Sequence, residues 1–156
     1  MMRKVTGALL ILLALSACAA NQPSFGTVAS SLPPLPAGQA RIFFYRWLEP
    51  YESLSMSTVY LNGKPVGASQ TGAVLYRDVA PGEYFISVYS RGTYPDQFKT
   101  VPVAAGQVVY VRIESLSNYQ SACGSWGGCP VDDFVVSVVD AAVGNKEMQS
   151  LKFIQG

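Results

Sequence analysis

Cysteine thiols are the side chains of this chain whose chemistry is most readily predicted. The sequence has three, Cys18, Cys123 and Cys129, and it has no histidine. Without histidine, the Ser-His-Asp and Cys-His forms of nucleophilic catalysis are excluded. Two thiolates without a histidine also make a poor zinc site, and the spacing differs from the Cys-x-x-Cys of a redox pair. We therefore expect no enzyme, no metal site and no cofactor.

Cys123 and Cys129 are expected to form a disulfide. The glycine-rich segment between them, which contains Trp126, is flexible enough to close a small ring. A disulfide is the usual state of such a pair in an oxidising compartment. Two free thiols remain the alternative.

Cys18 ends a segment that has the three parts of a secretory signal. Two basic residues, an apolar run over residues 5–15 and two small residues precede it. The run is shorter than the roughly 20 apolar residues that a membrane-spanning helix needs. Its end, Leu15-Ser16-Ala17-Cys18, resembles the lipoprotein signal-peptidase motif. The motif predicts that residues 1–17 are removed and that Cys18 is acylated, with plain secretion as the alternative.

An acylated Cys18 implies a lipid bilayer as the first partner, because two or more acyl chains anchor a protein stably. Ala19 follows the cysteine. By resemblance to the sorting rule of enteric-type lipoproteins, it implies the periplasmic face of the outer membrane. Charged residues make up 13% of the chain, with no basic stripe, so we expect no nucleic acid partner.

The chain is predicted to divide into a signal peptide, a tether and one domain. Residues 18–38 combine a lipidated cysteine with prolines and small polar residues. Such a composition buries too little apolar surface to fold, and we expect a flexible, disordered tether that reaches at most about 65 Å. Residues 39–156 then form the folded domain.

Residues 39–156 contain short segments rich in β-branched and aromatic residues. Asn62-Gly63 supplies the positive-φ pair of a type I′ hairpin, and Pro65 in the return strand favours an edge. The clearest strand, residues 83–90, alternates two faces, with Phe85, Ser87 and Tyr89 sharing one of them. One or two helical turns, capped by Asn145, are predicted at residues 144–151. Seven or eight strands at short spacing predict an all-β, antiparallel sandwich.

Four stretches carry a resemblance to a known family. They cover residues 41–46, 59–67, 79–84 and 109–114. In this order and spacing they resemble the domain of unknown function 2846 family, which is found on many small bacterial lipoproteins. The resemblance implies an Ig-like or transthyretin-like β-sandwich and no assigned activity. Trp47 and the loop from Cys123 to Cys129 depart from the family pattern.

Aromatic and arginine side chains are the candidates for binding. The aromatic residues predicted near loops have the side-chain types of interface hot spots, although aromatic loop residues also cap a core; they are Tyr89, Tyr94, Phe98 and Trp126. Arg46 and Arg112 lie within apolar strands, where they either bind a ligand, extend along the sheet or pair with Glu114 or Asp78. Asp78 and Glu83, which are both acidic, are otherwise expected to be charges at a hairpin end rather than a catalytic pair.

Two functions are compatible with these features. The first is a non-enzymatic envelope module that binds a protein or a glycan through loops, with Trp126 and Tyr94 as the main contacts and the sheet faces uninvolved. The alternative is a structural accessory subunit of a cell-envelope complex, which an open strand edge would favour.

Overall fold

Two β-sheets packed face to face form the fold in a computed structural model that describes residues 22–48, 56–90, 95–115 and 133–154. Sheet A has the strand order β8-β7-β1-β4-β9, and sheet B has the order β3-β2-β5-β6. The strands are β1 (Ala40–Arg46), β2 (Ser57–Leu61), β3 (Lys64–Ser69), β4 (Ala73–Val79), β5 (Gly82–Val88), β6 (Phe98–Val103), β7 (Val108–Ser115), β8 (Phe134–Val139) and β9 (Lys152–Phe153). The predicted all-β sandwich is confirmed.

Sheet A is mixed, so the prediction of a wholly antiparallel sandwich is wrong in this respect. Strand β1 pairs antiparallel with β4 but parallel with β7, and β4 pairs parallel with β9. The chain passes through sheet B between β4 and β7. It therefore returns beside β1 in the same direction. Alternation along a strand indicates which face is buried, but it carries no information about the direction of the neighbour.

The space between the sheets is filled by apolar side chains from both. Every strand from β1 to β8 contributes to this core, which contains Ile42 and Phe44 of β1, Val59 of β2, Ile86 of β5 and Val111 of β7. The alternation predicted for β5 is confirmed, because Ile86 is buried and its outward neighbours are more exposed. Burial of apolar surface on this scale is the main stabilising term of such a domain.

The hairpin between β2 and β3 has the predicted local structure. Asn62 and Gly63 have φ angles of 49° and 75°, as a type I′ turn requires. Pro65 lies in β3, which is an edge strand of sheet B, and this confirms the position predicted from its missing N–H group.

A second apolar cluster covers the outer face of sheet A. It joins Phe43 and Tyr45 of β1, Tyr110 of β7 and Met148. Met148 ends helix α2 (Ala141–Met148), which packs on β7. Strand β1 is therefore buried on both faces, as its unbroken run of large apolar residues predicts.

The N-terminal segment differs from the predicted flexible tether. Residues 25–28 form helix α1 (Phe25–Val28), followed by a 3₁₀ turn. Phe25 is only 4% exposed and packs edge-on against Phe43, with ring centroids 5.3 Å apart. The N–H group of Phe25 donates to the carbonyl oxygen of Leu151 at 2.7 Å. A single aromatic side chain orders this polar segment because sheet A offers it an apolar pocket.

The C-terminal helix also begins earlier than predicted. Helix α2 starts at Ala141, and Asp140 occupies the N-cap position without a side-chain capping hydrogen bond. The predicted cap, Asn145, is inside the helix and donates to the carbonyl oxygen of Ala141 at 2.8 Å. Glycine is typical of helix ends, but Gly144 lies inside this helix. There it allows the helix to pack closely on Tyr110.

Candidate functional site

Four aromatic side chains share the outer face of sheet B. Residues paired directly across neighbouring strands point to the same side of a sheet, and Tyr60, Ser87 and Phe98 form such a row across β2, β5 and β6. Phe85 and Tyr89 lie two positions before and after Ser87 and share its side. We call Tyr60, Phe85, Tyr89 and Phe98 the aromatic face.

The aromatic face is exposed to solvent to an unusual extent. Phe85, Tyr89 and Phe98 are 41%, 61% and 56% exposed. The rings of Phe85 and Phe98 contact each other, with centroids 5.1 Å apart and planes tilted by 34°. Clustered exposed apolar residues mark interaction sites more often than scattered ones do, and aromatic residues are enriched in protein interfaces.

Backbone hydrogen bonds hold this face in place. The N–H group of Phe85 donates to Oδ1 of Asn62 at 2.7 Å, and its carbonyl oxygen accepts from the N–H group of Asn62 at 2.8 Å. The N–H group of Tyr89 donates to the carbonyl oxygen of Thr58 at 3.0 Å. The turn residue Asn62 therefore both forms the hairpin and fixes Phe85, so the rings are presented on rigid strands.

The structure brings two of the predicted binding residues together. Phe98 begins β6, and Tyr89 directly follows the last residue of β5 and is still bonded to Thr58 of β2. Phe85 and Tyr60 were not among the candidates. The outward positions of a strand are normally polar when they face solvent. The aromatic residues at the outward positions of β5 are therefore the sequence signal that points to Phe85.

Five further predicted site residues, two aromatic side chains and all three cysteines, lie outside the described residues. They are Tyr94, Trp126, Cys18, Cys123 and Cys129. Acylation of Cys18, the disulfide and the role of Trp126 therefore stay predictions.

Arg112 is held in a charged cluster beneath helix α2. Its Nε lies 2.7 Å from Oε1 of Glu114, an ion pair without hydrogen-bond geometry, and its Nη1 lies 3.2 Å from Oε1 of Glu147. Its guanidinium carbon stands 4.7 Å above the ring of Trp47. Pairing with Glu114 confirms one predicted role for Arg112. The cluster connects β7 to α2, and both Nε and Nη1 of Arg112 lie beside carboxylates of the protein itself.

Tyr45 belongs to the same cluster. Its hydroxyl group donates a short hydrogen bond to Oε2 of Glu147. Burial raises the pKa of Tyr45, and the hydrogen bond to Glu147 raises this pKa further. Tyr45 is therefore a neutral donor at ordinary pH and shares with Arg112 the task of positioning Glu147. Sequence reasoning missed both Tyr45 and Glu147, which are far apart in the chain.

Arg46 is buried in the structure. It has 0% exposure, its guanidinium carbon lies 4.8 Å above the ring of Phe134, and Nη1 donates to the carbonyl oxygen of Ser69 at 3.4 Å. A partner at the protein surface cannot contact Arg46 in this conformation. We therefore leave it out of the candidate site.

Asp78 is the partner of a different arginine than predicted. Its two carboxylate oxygens accept from Nε and Nη2 of Arg41 at 2.7 and 2.8 Å, whereas the sequence suggests Arg46 or Arg112 as the arginine that pairs with Asp78. This hydrogen bonding raises the pKa of Arg41. The pair joins neighbouring strands β1 and β4, where the two residues face each other directly, and bidentate geometry makes it a strong contact.

The described part of the chain also bears on metal binding and membrane crossing. In the four described ranges, no three histidine, cysteine, aspartate or glutamate residues are grouped so as to hold a metal ion. No helix within these ranges is long and apolar enough to cross a membrane.

Comparison with known proteins identifies one family. Residues 36–127 match the model of a family described as protein of unknown function (DUF2846). No curated protein and no solved structure matches the chain. The matched residues contain all four members of the aromatic face, whereas α1, α2, β8 and β9 lie beyond the match.

Proposed function

The chain belongs to the family described as protein of unknown function (DUF2846), and on this premise we propose that it is a lipid-anchored cell-envelope protein. Its Ig-like or transthyretin-like sandwich binds a protein partner without catalysis. Leu15-Ser16-Ala17-Cys18 supports the anchor. The aromatic face supports the binding of a partner. We place this binding at the periplasmic side of the outer membrane.

The contact between Phe85 and Phe98 at the surface carries this proposal. Both rings are about half exposed, although Ile86 of β5 and Val101 of β6 are buried on the inward side of the same strands. A solvated sheet face is normally polar, so two touching phenylalanine rings reduce solubility without adding to the core. A partner surface that covers them recovers the hydrophobic free energy that remains unused in the free protein.

The composition of the face favours a protein over a glycan. Phe85 and Phe98 offer no donor or acceptor to sugar hydroxyl groups, and Lys99 and Asp96, which are close to Phe98 in the chain, pair with each other at 2.5 Å. Tyr89 and Tyr60 add hydroxyl groups at the edges of the patch. An apolar centre with a polar rim is the usual anatomy of a protein interface.

The strand edges give less support to a structural role through strand addition. On β3, the side chain of Arg77 donates to the carbonyl oxygen of Val66. On β8, the N–H group of Phe134 donates to Oγ of Ser90 at 3.0 Å. The N-terminal segment lies beside β9. Because edge groups must be free to pair with an added strand, these contacts count against strand addition at β3, β8 and β9, whereas they leave the fourth edge strand, β6, available.

Crosslinking in intact cells tests the binding proposal. Partners captured by the wild type are compared with those captured by the double variant Phe85→Ser and Phe98→Ser. The control is Val138→Ser, which removes an exposed apolar side chain from β8. We expect a protein whose recovery falls at least tenfold in the double variant alone. Unchanged capture contradicts the proposal. If the double variant instead loses binding to purified envelope glycan, the ligand of the aromatic face is a glycan and not a protein.

The anchor has a separate test. The mature wild-type protein should have the mass of a chain that begins at Cys18 and carries acyl groups. The Cys18→Ala variant should leave the membrane fraction. A mature mass equal to that of the bare polypeptide refutes the anchor and leaves the binding proposal intact.

A further inference from the structure

The N-terminal residues 22–31, the docked segment, are packed onto sheet A as part of the domain. The carbonyl oxygen of Pro23 accepts from the N–H group of Phe153 at 2.9 Å, and the N–H group of Gly26 donates to the carbonyl oxygen of Gln149 at 3.0 Å. Ser24 forms a β-bridge with Lys152. These bonds, together with buried Phe25, join the segment to the far edge of the sheet.

Docking of this segment shortens the connection between the domain and Cys18. Cys18 stands five residues before Pro23. At about 3.6 Å per residue, these residues span at most about 18 Å. A free tether over residues 18–38 would instead reach about 65 Å at full extension. With so short a connection, the domain cannot rotate freely, and only some of its surfaces can face the bilayer.

We propose that this short connection holds the domain against the membrane, with the β9 edge of sheet A facing phospholipid headgroups. The proposal rests on the lipid anchor of the proposed function. The domain is thereby oriented, rather than suspended freely in the periplasm. The aromatic face is on sheet B, on the opposite side of the sandwich, and remains open to a partner.

The surface near the β9 edge has the chemistry of a membrane-facing patch. A groove of about 760 Å³ has among its lining residues Trp47, Leu48, Val143, Lys146 and Lys152, together with Glu147, whose charge is paired with Arg112. Leu48 is 74% and Val143 is 39% exposed, and both lysines are exposed. Exposed apolar side chains beside lysines suit the interface of a bilayer that contains anionic lipids. The charge of this surface and the length of the connection therefore both favour the phospholipid bilayer as its partner.

Neutron reflectometry tests the distance. The acylated full-length protein is placed on a supported bilayer of phosphatidylethanolamine and phosphatidylglycerol. We expect protein density to begin within about 18 Å of the headgroups. A variant with about 20 glycine and serine residues inserted before Gln22 keeps the docked segment intact, and it should widen the gap by about 25 Å.

Releasing the docked segment should have a similar effect. Phe25→Asp places a charge in the apolar pocket, and the gap should widen toward that of the insertion variant. Ser30→Asp adds the same charge at an exposed position of the segment and should leave the gap unchanged. The insertion variant decides the question if Phe25→Asp fails to fold.

Photocrosslinking tests the orientation. A benzophenone amino acid replaces Ser150, next to β9, or Thr100, on the outer side of sheet B; both positions are exposed. We expect at least a fivefold excess of lipid adducts from position 150. Equal yields overturn the orientation.

The two proposals fail in different ways. If Cys18 carries no acyl group in the mass spectrum, the anchor and the orientation both fall. If Cys18 is acylated and the wild-type gap equals that of the insertion variant, only the docking of residues 22–31 at the membrane is overturned. Loss of the preference for position 150 on a bilayer without phosphatidylglycerol is the expected result, because the lysines then lack anionic partners.

Discussion

Replacing Gly144 with alanine should destabilise the domain, although alanine is the better helix former. Gly144 lies in the middle of helix α2. A Cβ atom at this position would stand 2.5 Å from Cγ and 2.6 Å from Cβ of Tyr110. These atoms are at the base of the side chain and cannot swing away. Either Tyr110 or the helix must therefore move.

Both movements break contacts that the structure shows. The ring of Tyr110 stacks on Phe43, with centroids 5.7 Å apart and planes within 17° of parallel. Lifting the helix would separate Glu147 from Arg112. Overpacking of this kind costs about 1–3 kcal/mol, and alanine regains about 1 kcal/mol of helix propensity. Because the clash involves the rigid base of a side chain, we take the upper part of this range and expect a net loss of about 1–2 kcal/mol.

Urea unfolding measures this loss. With a slope of about 2 kcal/mol/M, the middle of the range for a small domain, the midpoint of Gly144→Ala should fall by about 0.5–1 M at an unchanged slope. Ala142→Gly, at an exposed position of the same helix, isolates the propensity term and should lose about 1 kcal/mol. In a Tyr110→Gly background, which removes both Cγ and Cβ of residue 110, Gly144→Ala should become neutral or stabilising. A higher midpoint for Gly144→Ala in the wild-type background would refute the packing argument.

Three further predictions follow from buried polar groups and from the cysteines. Asp78→Asn should lower the free energy of unfolding by about 2 kcal/mol, because Arg41 loses a charge-assisted bidentate partner; a change below about 0.5 kcal/mol in urea unfolding would contradict this. The pKa of Tyr45 is raised in the folded state, so the folded protein keeps the phenol proton at a pH at which the unfolded chain has already lost it. The free energy of unfolding should therefore fall as the pH rises above about 10. In Tyr45→Phe this loss should be smaller, as measured by unfolding at several alkaline pH values, and an identical slope would count against it. Cys123 and Cys129 should resist alkylation in unreduced protein taken from the periplasm and react after reduction, whereas labelling of both without reduction would exclude the disulfide.

Much of the local structure could be predicted from neighbouring residues. The positive-φ pair Asn62-Gly63 specifies the hairpin because few other residues adopt that turn. Pro65 indicates an edge strand because it lacks a donor. Alternation in residues 83–90 shows which side of β5 is buried. The same alternation contains the aromatic face, since Phe85 and Tyr89 recur on the outward side. Each of these signals acts within a few residues, where covalent geometry limits the choices.

The features that only the tertiary structure determined depend on contacts between residues that are distant in the chain. The parallel pairing of β1 with β7 depends on the route of the chain through sheet B. The cluster of Tyr45, Arg112 and Glu147 depends on the docking of α2. Residues 22–31 have the composition of a tether, yet Phe25 orders them because sheet A leaves an apolar pocket open. Whether an apolar side chain is buried depends on the surface that another part of the chain provides, and composition alone does not contain that surface.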